Sequence, residues 1–275
     1  MFFPKLCCLS ISYLRYQMKN SVAGYMGNQK GYPVVYVTHD PDNPAITSST
    51  KRSHRLTSKQ GAALLPEIER YNKLKHDLDD NLAKWYAHYN YAPPQYKVPF
   101  RSGRRLDYKF FVNCPENQNP NPPKHPITYK GTTYYSKNEV LAVIVSQSLG
   151  LEIKSEVPVV INEDTTYNLD GLIGCKAADL AMFVEIMGMP DRAEYMQRNY
   201  RRIVDYSSKG LRQNREIIYI FIPNSYDFDF ENLANQILLS IEQQLPEPEG
   251  WREETAGAQT ALNRRRADNA TGSQP

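Results

Sequence analysis

Three acidic residues sit where carboxylates can do chemistry. Glu139 lies in Ser136-Lys137-Asn138-Glu139 at the head of an apolar helical pattern. Asp170 lies in Tyr167-Asn168-Leu169-Asp170-Gly171, and Glu185 in Phe183-Val184-Glu185-Ile186-Met187-Gly188. Carboxylate oxygens in small number suit Mg²⁺ or Mn²⁺, which keeps several of its waters. An ion so held polarises a phosphate and brings water towards deprotonation near neutral pH, so the chemistry to expect is phosphodiester hydrolysis. Downstream, Tyr195, Arg198, Arg202 and Tyr206 recur at three- and four-residue steps and share one helix face. Beside an acid cluster, Arg198 and Arg202 would hold the scissile phosphate or balance the acids.

Each residue also has an explanation without chemistry. Glu139 completes Ser136-x-x-Glu139, a capping box that satisfies backbone N–H groups. Asp170 precedes Gly171 and reads equally as a turn or strand-end residue. A row of arginines is what a solvated helix face looks like. Glu185 is the hardest to explain away, because it interrupts an apolar strand and a buried carboxylate is costly unless paired or metal-bound.

The elements that must position these residues read as an alternating α/β unit over 131–245. A helix is predicted over 136–149, stopped by Gly150, then strands over 153–161, 167–173 and 180–187. The third of these strands is apolar nearly throughout and so central, covered on both faces. A helix follows from about 190 to 208, with Met196, Tyr200 and Ile203 on its core side, and Gly210 ends it. A strand over 216–222 and a helix over 230–245 complete the unit. Asp170 and Glu185 then lie on hairpin partners and can be close although fifteen positions apart.

This helix–three strands–helix–strand order, with Glu139 on the helix, Asp170 on the second strand and Glu185 on the third, resembles the PD-(D/E)XK nuclease (restriction-endonuclease-like) superfamily. It looks more narrowly like uncharacterised bacterial members, through Ser136-Lys137-Asn138-Glu139, Asp170, Glu185 with Gly188, and Tyr195, Arg198, Arg202, Tyr206 and Gly210. The resemblance covers roughly 130–245. It implies an αβββαβ core with a mixed central sheet, Asp170 and Glu185 as ligands of Mg²⁺ or Mn²⁺, Glu139 supporting them, and cleavage of nucleic acid, with DNA the expected substrate. Two departures stand out. Met187 occupies the place of the superfamily's lysine, and Leu169 that of its proline. Arg202 is the candidate replacement for the lysine, with Lys176 and Lys209 behind it.

The rest of the chain reads as follows. Residues 1–17 are expected as an upstream-start extension before Met18. Residues 18–92 form a small basic β-hairpin, with a strand over 32–38 and a partner over 52–57, and a long helix. Ser58 is that helix's N-cap, Pro66 places its continuous part from about Leu65 to Tyr89, and Pro93-Pro94 stops it. Residues 93–130 are a Pro/Asn-rich linker containing the basic cluster Arg101, Arg104 and Arg105, and 246–275 are expected to be disordered. Residues 1–110 carry 17 Lys+Arg against 8 Asp+Glu, which suits a polyanionic partner for that half. No apolar run approaches the roughly 20 residues of a membrane span, and sparse cysteines without CxxC spacing fit a cytoplasmic protein without structural zinc. Two rival readings remain: a catalytically inactive nucleic-acid-binding protein on the same fold, and a partner-binding protein using the long helix.

Overall fold

Gly-rich and β-branched segments, not a single periodic pattern, set the architecture, and the outcome is a mixed α/β protein. The structure is a computed structural model that describes residues 2–116, 123, 125–188, 192–222 and 228–251. It divides into two compact units, one of Met1–Leu6 and Phe100–Leu245, the other of Cys7–Pro99 and Pro246–Pro275. Among the described residues no helix is long and apolar enough to cross a membrane.

In the second of these units, β1 (Ala23–Gln29), β2 (Tyr32–His39) and β3 (Arg52–Arg55) form an antiparallel sheet in that order. The expected hairpin therefore gains a strand in the glycine-rich stretch before it. Lys30 (φ 52°) and Gly31 (φ 83°) make the tight turn, both with the positive φ such two-residue connections require. At Gly24 an added Cβ would lie 2.1 Å from the Tyr36 carbonyl oxygen and 2.7 Å from Ile68 Cδ1, so only glycine admits the helix α2 (Lys59–Tyr86) onto β1. Ser58 caps α2, its Oγ accepting the Gly61 N–H at 3.0 Å. The helix starts at once and runs through Pro66, whose fixed φ fits a helix, instead of beginning near Leu65. Residues expected as an upstream extension belong to helix α1 (Pro4–Lys19), in which Cys8, Leu9 and Ile11 are fully buried and the Ser12 Oγ accepts the Tyr96 N–H. Of the expected disordered tail, 252–275 lie outside the described residues. Before them, the Pro246 carbonyl accepts the Tyr96 hydroxyl at 2.6 Å.

The other unit opens with α3 (Tyr108–Asn113), capped by Asp107, and a hairpin of β4 (Ile127–Tyr129) and β5 (Thr132–Tyr134), both within or beside the stretch expected as linker. Then follow α4 (Lys137–Ser148), β6 (Glu152–Val160), β7 (Thr166–Cys175), β8 (Leu180–Met187), α5 (Ala193–Ser208), β9 (Ile217–Phe221) and α6 (Phe230–Gln244). Four strands stand in the order β6-β7-β8-β9; the first two pairings are antiparallel and the last is parallel. The parallel step needs a long crossover, which α5 supplies. All but one of the eight residues of β8 are buried, as its apolar run predicts for a central strand. Phe183, Met187, Tyr206, Ile217 and Tyr219 belong to one hydrophobic core, with Ile203 packed against it.

Candidate metal centre

Glu139 is delivered by the first turn of α4. Ser136 Oγ accepts the Glu139 N–H at 3.2 Å, and Glu139 Oε2 accepts the Tyr135 N–H at 3.0 Å. This is a capping arrangement in which the acid reaches one residue further back than the usual box. Capping does not account for all of it, because the residue is only 5% exposed. Burial, then the Asp170 charge, pushes its carboxyl up to about 7.

Asp170 and Glu185 come from β7 and β8. The ladder runs to Gly171↔Val184, so the next position sets Asp170 opposite Glu185. There the carboxylate takes over from the backbone: Asp170 Oδ2 accepts the Ile186 N–H at 2.5 Å. Burial pushes the Asp170 carboxyl up to about 6, against the pull of that hydrogen bond and of Arg202.

The third participant is Glu156 of β6, which the residue patterns did not single out. In the β6–β7 register it falls opposite Asp170, where the ladder skips from Ser155↔Gly171 to Val157↔Leu169. Its φ of 51° is left-handed, a conformation that costs a non-glycine residue roughly 1–3 kcal/mol and is held by its surroundings. Glu156 is buried. One carboxylate oxygen from each of Glu139, Glu156 and Asp170 lies within 4.8 Å of the others. Three hard oxygens so placed, two of them on carboxyl groups whose charge the fold alone disfavours, fit Mg²⁺ or Mn²⁺. The signal for Glu156 was present in the sequence: a turn centred on Glu163 pairs residue 156 with 170.

Glu185 and Arg202 form the adjoining layer. Glu185 is 2% exposed; its Oε1 lies 2.8 Å from Arg202 Nη1. Burial and then the Asp170 charge hold its carboxyl well above the usual carboxylate range, with Arg202 opposing. The grouped oxygens are thus those of Glu139, Glu156 and Asp170, and the expected Asp170–Glu185 pair is divided between that group and the arginine. Arg202 Nη2 also donates to the Asn168 carbonyl (3.1 Å) and the Tyr206 hydroxyl (2.8 Å), and the guanidinium lies over the Tyr167 and Tyr206 rings. Burial opposes its charge, but Glu185 and Tyr206 raise its pKa overall. Asn138 Oδ1, Glu185 Oε2, Arg202 Nε and Tyr219 OH are buried without a hydrogen-bond partner. Such atoms are rare in folded proteins, and these four belong to residues on or beside the acid-bearing segments.

The remaining predicted residues fall elsewhere. Arg198, one turn before Arg202, is exposed. On α5 the inward stripe contains Tyr195, Asn199, Arg202 and Tyr206, with Asn199 7% exposed, whereas Tyr200, expected on the core side, is 67% exposed. At about 100° per residue Tyr200 points well away from Tyr206. Tyr195 OH accepts the Gly188 N–H at 3.2 Å. Met187 is buried in the core, so an apolar side chain stands where the resemblance would place a lysine. Lys176 lies in the β7–β8 turn, about 20 Å along the strand from Asp170, and Lys209 is the C-cap of α5. Arg104 donates to the Gln244 carbonyl and Arg105 to the Lys209 carbonyl, each at 3.2 Å, so this basic pair ends two helices. No family model, curated protein or solved structure matches this chain.

Proposed function

We propose that the chain hydrolyses phosphodiester bonds in nucleic acid, DNA in the first instance, with Mg²⁺ or Mn²⁺ held by Glu139, Glu156 and Asp170. The observation that carries this reading is the convergence of three carboxylate oxygens within 4.8 Å, from buried Glu139 of α4 and Glu156 of β6 and half-buried Asp170 of β7. A divalent ion there, when bound, supplies Lewis-acid polarisation of a phosphate and a more acidic water. The chain's own residues do the rest. Burial keeps Glu139 and Asp170 near 7 and 6, so near neutral pH they exchange protons for a cation readily. Glu156 is turned towards them by its left-handed backbone. Glu185 anchors Arg202, which sets positive charge beside the acids. The succession α4-β6-β7-β8-α5-β9, with one parallel pairing, supports the restriction-endonuclease-like assignment.

A second reading, nucleic-acid binding without cleavage on the same fold, is favoured by Met187 in the core and by the commitment of Arg202 to Glu185. Incubating purified protein with supercoiled plasmid and with single-stranded DNA and RNA, in Mg²⁺, Mn²⁺ or EDTA, separates the two. Cleavage that needs the metal and disappears in Asp170→Asn and Glu156→Gln supports the nuclease. Salt-sensitive binding with no cleavage supports the second reading. Metal-independent cleavage, or cleavage that survives both substitutions, contradicts the proposal.

A further inference from the structure

The face of the β1–β2–β3 sheet that carries Tyr25 and Tyr36 combines aromatic rings with cations. Register places Tyr25 opposite Tyr36, and Gly27 opposite Val34, which in turn faces Arg55. The Tyr25 and Tyr36 rings stack at 5.0 Å between centroids with 27° between planes. Gly27 makes this possible: a Cβ there would meet the Tyr36 ring at 2.8 Å, so the ring lies flat across the β1 backbone. Tyr32, beside the turn, is 54% exposed and Tyr25 43%. Cations sit among the rings. Lys51 Nζ lies 5.0 Å from the Tyr36 centroid and donates to Tyr25 OH at 2.8 Å, and the Arg55 guanidinium lies 4.5 Å from the Tyr32 centroid.

Exposed Tyr25 and Tyr32 and half-buried Tyr36, with ammonium and guanidinium groups between them, offer π-faces for bases and charge for the phosphates that join them. Residues 23–59 carry five Lys+Arg against two Asp, so the surface is complementary to a polyanion. A duplex keeps its bases stacked inside and cannot use the rings; a single strand can. We infer that this sheet face binds single-stranded nucleic acid by stacking bases on Tyr25, Tyr36 and Tyr32, with Lys51 and Arg55 contacting the phosphates. The ligand class follows the nucleic-acid reading above, while the residues involved are separate from the carboxylates. Recognition through π-faces and phosphates is tolerant of base sequence.

The test is fluorescence anisotropy with the full chain in EDTA, using labelled dT15, rU15 and a 15-base-pair duplex. Single strands are expected to bind more tightly than the duplex, and comparison of dT15 with rU15 shows whether the sugar is read. Tyr25→Leu and Tyr36→Leu are each expected to weaken single-strand binding about tenfold, as loss of one base stack does. Tyr36→Phe keeps the ring and should restore it. Lys51→Gln with Arg55→Gln should flatten the dependence of log K on log salt by about 1.4, at about 0.7 per phosphate contact. Circular dichroism checks that each variant is folded. Tighter binding of the duplex, no binding of either form, or folded leucine variants that bind like wild type would overturn the inference. Single-strand binding that behaves as expected without any metal-dependent cleavage leaves it standing and sinks the nuclease reading. Metal-dependent cleavage with unaffected leucine variants does the reverse.

Discussion

Replacing Arg202 by methionine removes the cation that pairs with Glu185 among the described residues, and the geometry sets what that costs. The pair is 2.8 Å apart, with Glu185 2% and Arg202 30% exposed. At an effective dielectric near 20 the attraction is about 6 kcal/mol, part of which offsets the desolvation of both groups. Arg202→Met leaves the carboxylate buried with neither oxygen partnered by a cation, and it removes two further hydrogen bonds. Breaking one side of such a pair costs about 3–5 kcal/mol, which corresponds to a fall in Tm of about 10 °C for a unit of this size. Glu185 can escape by protonation, since burial already holds its carboxyl high. The penalty should therefore grow between pH 6 and pH 9. Urea unfolding followed by circular dichroism at both pH values measures it. The double variant Glu185→Gln/Arg202→Met should recover more than half of the loss, because neither position of the pair then carries a buried charge. A loss below about 1 kcal/mol for the single variant, or a double variant no more stable than the single, would refute this account of the pair.

Three further outcomes are expected. Glu139 and Asp170 have folded values of about 7 and 6, above their ordinary 4.5 and 3.8, so the stability tied to their protonated forms is present below about pH 4 and lost as pH rises through 6–7. For Glu139 alone the loss is about 3 kcal/mol, visible in EDTA as a lower urea midpoint at pH 8 than at pH 5, and Mg²⁺ should restore more stability at pH 8. Asp170→Asn removes a buried charge while keeping an acceptor for the Ile186 N–H; thermal scans at pH 8 should show a higher Tm in EDTA and no response to Mg²⁺. Gly24→Ala drives a methyl into the Tyr36 carbonyl and Ile68, and should cost about 2 kcal/mol in chemical denaturation, whereas Gly210→Ala meets no neighbour within 4 Å and is strained only by its φ of 75°.

The core αβββαβ succession was legible because each element carries a local signal. Ser136 caps, Gly150 and Gly210 stop, and the run of 180–187 can only be a buried strand; the observed bounds fall within a few residues of those expected. β1 was not legible, since its glycines weaken strand propensity while serving close contact with Tyr36 and Ile68. Glu139 was legible as an acid in a helix's first turn and Asp170 as an acid on the second strand, where it sits in the middle of β7 and not at a turn or strand end. Glu156 was hidden by alternation: it shares the phase of Lys154 and reads as an outward polar residue, and only pairing across the Glu163 turn brings it to Asp170. Glu185 was recognisable as an acid needing a partner, but the choice between a cation and a metal depends on how far Arg202 reaches from α5. That is a tertiary distance no spacing encodes.

Whether Glu139, Glu156 and Asp170 hold a divalent cation is decided by Mn²⁺ titration of the full chain at pH 8 by electron paramagnetic resonance, with wild type, Glu156→Gln and Arg198→Gln in parallel. One Mn²⁺ per chain is expected in wild type and in Arg198→Gln, and binding at about a tenth of that affinity or less in Glu156→Gln. Wild-type protein that binds no Mn²⁺, or Glu156→Gln that binds it with wild-type affinity, would contradict a cation site there.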